Sequence, residues 1–120
     1  MQLLRASGLH NGAGYDLRAV THGTAVGDCG IPEGTLLIEF AEAILGKNEP
    51  RLVRARAAIA TAMGAAALVD AAGVAGLFNA IDRVADATGA PLEEAKAADT
   101  ASLREAIGIN KFDAVRARLE

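Results

Sequence analysis

The chain has 120 residues, 52% of them hydrophobic and 22% charged, with a mean hydropathy of +0.25. That is one domain's length and too apolar a composition for disorder. A net charge of −3 and a pI near 5.4 argue against nucleic acid as a partner, and a single cysteine excludes both an internal disulfide and a cysteine-rich zinc site.

Residues 1–32 are glycine-rich and weakly periodic. Met1–Gly14 lacks the apolar core of a signal peptide. MQLLRASGL reads as the last turns of a helix stopped by Gly8, YDLRAV as a single turn, and THGTAVGDCGIPEG as loop. Regular structure is expected from Glu33, where Leu36, Leu37, Phe40, Ala41, Ile44 and Leu45 recur at helical spacing until Gly46. Asn48 then has the chemistry of an N-cap, followed by Glu49 and Pro50 in a first turn and a helix to Met63. The short link between these helices predicts an antiparallel hairpin.

A third and longest helix is expected over about 66–88. Its apolar stripe comprises Leu68, Val69, Ala72, Leu77, Phe78, Ile81, Val84 and Ala85, with Gly89 as the C′ residue and Pro91 beyond. Gly73 and Gly76 each cost about 1 kcal/mol of helix propensity relative to alanine. The compensation expected is close approach of another helix, from this chain or a second copy. Leu92–Ala98 reads as one or two helical turns. Thr100 or Ser102 can cap a short helix through Ile107, with Glu105 completing a capping-box spacing, and a last helix is expected over Lys111–Leu119. No internal repeat and no domain boundary after Pro32 is apparent. The expectation is one all-α domain with three principal helices and a few short C-terminal ones.

From Ala57 to Ala80 the only charged residue is Asp70, and that run is long enough to span a bilayer. Most of it is alanine and glycine, which drive insertion weakly, and a mid-span carboxylate costs roughly 2.5–3.5 kcal/mol. A soluble, cytoplasmic protein without a membrane partner is therefore expected. The abundance of alanine, and of arginine over lysine, suggests a GC-rich bacterial genome.

Four polar residues stand out on the third helix: Asn79, Asp82, Arg83 and Asp86. Their offsets of three and four residues place them on one strip. As a functional site they would form an acid/base or anion-binding strip at a subunit interface. As a structural feature, Asp86 would hold Arg83 while Asn79 bonds a neighbouring helix end. Asp70 is expected as a first-turn carboxylate or a cap at the positive end of that helix. Cys29 is a weak redox candidate, since a reactive thiol needs a cation or helix N-terminus to lower its pKa and Asp28 is adjacent. His10 and His22, with Asp16, Asp28 and Cys29, have no diagnostic metal-ligand spacing. No metal and no cofactor is expected.

The residues Phe78-Asn79, Arg83, Ala85-Asp86, Gly89 and Pro91-Leu92, preceded by the PEGTLLIEFAEAILG helix, resemble the carboxymuconolactone decarboxylase / AhpD-like (alkylhydroperoxidase-related) family over roughly Glu33 to Glu93. The resemblance implies an all-helical homo-oligomer. Active members carry a Cys-x-x-Cys pair with a histidine and an upstream glutamate, because one thiolate attacks the peroxide and the second resolves the sulfenic acid. This sequence has no such pair. In longer relatives a segment like RASGL follows the cysteine helix, so the likeness is to the C-terminal part, and no catalytic residue carries over. The resemblance thus implies a non-catalytic structural or interaction module, with a possible separate chain bearing the Cys-x-x-Cys pair. The alternatives are an enzyme or small-ligand protein with an interface site around Arg83, or a fragment of a thiol-peroxidase-related protein whose native start lies upstream.

Overall fold

The computed structural model describes His10, Gly12 and residues 14–112. Every regular element among them is helical: α1 (Ala19–His22), a 3-10 turn (Gly23–Val26), α2 (Gly34–Leu45), α3 (Glu49–Met63), α4 (Ala65–Thr88), α5 (Glu94–Asp99), α6 (Ala101–Ile107) and a second 3-10 turn (Ile109–Phe112). The all-α expectation holds, with α2, α3 and α4 as the principal helices. The expected turns over residues 1–9 and most of the last helix, residues 113–119, lie outside the described residues. Contacts divide the chain into two units, one of Ile31–Pro91 and the other of the segments up to Gly30 and from Leu92 onward.

In the Ile31–Pro91 unit the three long helices begin and end where local chemistry dictates. The Asn48 side chain accepts a hydrogen bond from the Arg51 amide at 3.0 Å, and Pro50 occupies the first turn where its missing N–H leaves nothing unpaired. Gly89, at φ 62°, adopts the left-handed conformation that closes α4, its N–H bonding back to the last turn. Glu33 is the exception. It precedes α2 with φ 55°, a left-handed conformation that costs a non-glycine residue about 1–2 kcal/mol, so α2 starts at Gly34.

The core of this unit is the cluster of Phe40, Ala43, Ala55 and Ile59, with Leu36, Leu52, Met63, Leu68 and Ala71 packed around it. Arg51 at the start of α3 reaches Glu42 near the end of α2, while Met63 at the end of α3 shares a groove with Leu37 near the start of α2. The two helices are therefore antiparallel, as the short link requires. After the break at Gly64, α4 folds back over this hairpin.

Helix lengths then decide what α4 can bury. Fifteen residues of α3 span about 22 Å, whereas the 24 of α4 span about 36 Å. Counting fifteen residues from Ala65 ends at Asn79, and Asn79 is also the last half-buried residue of α4. Of the half-buried α4 positions, Ala67, Ala71, Ala75 and Asn79 form an i, i+4 line of mostly small side chains, with Leu68 beside it. Of the bulky stripe expected from periodicity, Leu68 packs on the core, but the later members are not on the inward face. Leu77 and Phe78 are each 59% exposed and Val84 64%. The reason is geometric: small residues let α4 lie close on the hairpin, and the large ones other than Leu68 are turned out.

In the other unit, Ala19 and Ile107 are buried, and the Thr21 hydroxyl donates to the Ile107 carbonyl, tying α1 to the end of α6. The stretch expected to be loop, from Thr21, thus contains the end of α1 and a 3-10 turn, while the start of α1 falls in YDLRAV, where a single turn is expected. The Asp16 amide donates to the Cys29 carbonyl at 2.9 Å, and the backbone of Gly14 runs so close that a Cβ on Gly30 would sit 2.3 Å from its carbonyl oxygen. Only glycine fits there. The capping box expected at Ser102 and Glu105 does not form. Thr100 holds the N-cap position, and its hydroxyl donates instead to the Lys96 carbonyl at 2.6 Å, because α5 ends immediately before it.

Candidate functional site

The polar quartet sits where the overhang of α4 begins. Asn79 is half-buried at the last covered turn, while Asp82, Arg83 and Asp86 continue the same line into solvent beyond the reach of α3. This explains the change of chemistry along one face: alanine where a helix covers it, charge where no described helix does. Among the described residues no hydrogen bond or ion pair involves these four side chains. Arg83 and Asp86 are thus not clamped to one another, and both remain available to a partner.

Gly73 and Gly76 are equally open. A Cβ added at either would meet nothing within 4 Å, so among the described residues no helix makes the close approach expected there.

An open-sided groove of about 540 Å³ lies between α2 and α4. Leu37, Phe40 and Ala41 form its α2 wall, and Ala71, Val74 and Phe78 part of its α4 wall. Asp70 is the one charged residue lining it. The expected role of Asp70 at the helix start is not met. Gly64, at φ 92°, breaks the chain so sharply that α4 begins at once with Ala65, leaving Asp70 in the second turn on the groove side. The groove continues outward into the exposed ridge of Leu77, Ile81 and Val84. By length and composition alone Ala65–Thr88 could cross a membrane, with a mean hydropathy of 1.4 over its most apolar window.

One charged arrangement was not anticipated from the sequence. Arg51 spans from α3 to α2, donating to both carboxylate oxygens of Glu39 and to Glu42. These bonds hold the Glu39 carboxyl below its ordinary pKa and raise Arg51 further. The i, i+3 pair Glu39/Glu42 and the third residue of the next helix across a short link were the available signal. With both partners about a third exposed, this is a strut of the hairpin.

Cys29 is free and buried at 3% exposure, its carbonyl engaged by Asp16. His22 lies at the end of α1, its Nδ1 within 2.9 Å of the Thr21 hydroxyl and 3.1 Å of the Arg18 carbonyl. Asp28 accepts from the Gly30 amide at 2.8 Å, and Asp16 is paired with Arg18. No group of three potential metal ligands occurs among the described residues. In comparisons with known proteins, no protein family, no curated protein and no solved structure matches this chain.

Proposed function

We propose that the chain is a non-catalytic helical interaction module of the carboxymuconolactone decarboxylase / AhpD-like kind, acting as a cytoplasmic homo-oligomer. The observation that carries this reading is the apolar ridge of α4, whose Val74, Leu77, Phe78, Ile81 and Val84 are all more than half exposed. A run of exposed apolar side chains along one helix is the kind of surface that association covers. Burial of Cys29 supports the non-catalytic part, since a peroxidatic thiolate has to meet its oxidant. A separate chain bearing a Cys-x-x-Cys pair is the further partner that the family likeness suggests. The test is mass measurement by light scattering over about a hundredfold range of concentration. A concentration-dependent oligomer is expected, without thiol-dependent peroxide reduction; a monomer throughout would sink the reading.

A second reading, a small-ligand protein with an anion site at the subunit interface, is favoured by the unengaged Arg83 guanidinium. An Arg83→Ala variant that stays oligomeric but loses a bound anion would select it.

A further inference from the structure

We draw no further inference here: the strongest candidate, the open-sided apolar groove between α2 and α4 with Asp70 as its one charged lining residue, carries nothing, because nothing in the structure shows what covers it.

Discussion

Arg51 meets Glu39 through two parallel hydrogen bonds, Nε to Oε1 and Nη2 to Oε2, each 2.7 Å, and so joins the first turn of α3 to the middle of α2. The same residue's backbone amide is capped by Asn48. A single arginine therefore ties together the turn and both helices of the hairpin, which is the platform on which α4 lies.

The pair makes hairpin stability pH-dependent. The Glu39 pKa is held below its reference of 4.5 by the hydrogen bond from Arg51, so its contribution is complete above that value and is lost as pH falls through the folded pKa. Arg51→Gln should lower stability at pH 7 only slightly, given the exposure of the pair. The difference from wild type, read from urea midpoints, should shrink as pH falls through the folded pKa of Glu39. An unchanged difference would remove the ion pair from the account.

Asp16 offers a direct titration. Its carboxylate accepts from the Arg18 side chain and then from the Arg18 amide, which lower its pKa from 3.8 to about 2. A carbon-detected NMR titration should place its midpoint near 2. Stability from this pair is present above pH 3.8 and is lost as pH falls through about 2. In Arg18→Ala the midpoint should move back towards 3.8, incompletely, because the amide bond survives.

Ile59 is wholly buried in the cluster with Phe40, Ala43 and Ala55. Ile59→Ala should cost about 2–5 kcal/mol, from lost transfer energy and the cavity left behind. That is a large fraction of a small domain's total, so a steep fall in denaturation midpoint is expected; Ile59→Val should cost about 0.5–1.5 kcal/mol.

The two helix starts of the hairpin should respond in opposite directions. Asn48→Ala removes a cap and should cost about 1 kcal/mol. Glu33→Gly relieves the left-handed residue before α2 and should gain a fraction of a kcal/mol, since glycine's larger unfolded-state entropy offsets part of the relief. Thermal melts of the two variants measure both effects, and a loss of stability in Glu33→Gly would contradict the strain at that position.

Local chemistry makes much of the fold legible in the sequence. The limits Glu49 and Met63, the Asn48 cap and the Gly89 stop are all readable there, because caps, proline at a first turn and left-handed glycine act within a few residues. The polar strip is also visible at its true spacing. Its circumstances are not, because whether Asp86 holds Arg83 depends on what stands opposite, and beyond Asn79 no helix of the hairpin does.

The chain's own letters therefore determine an all-helical protein, three long helices with their ends, and a polar line at 79, 82, 83 and 86. Tertiary structure alone decided which face of α4 turns inward. The stripe of Leu77, Phe78, Ile81 and Val84 has the larger apolar area, and periodicity would bury it. Packing instead chose the line of Ala67, Ala71 and Ala75, because close approach to the hairpin requires small side chains, and because a helix of fifteen residues cannot cover one of twenty-four.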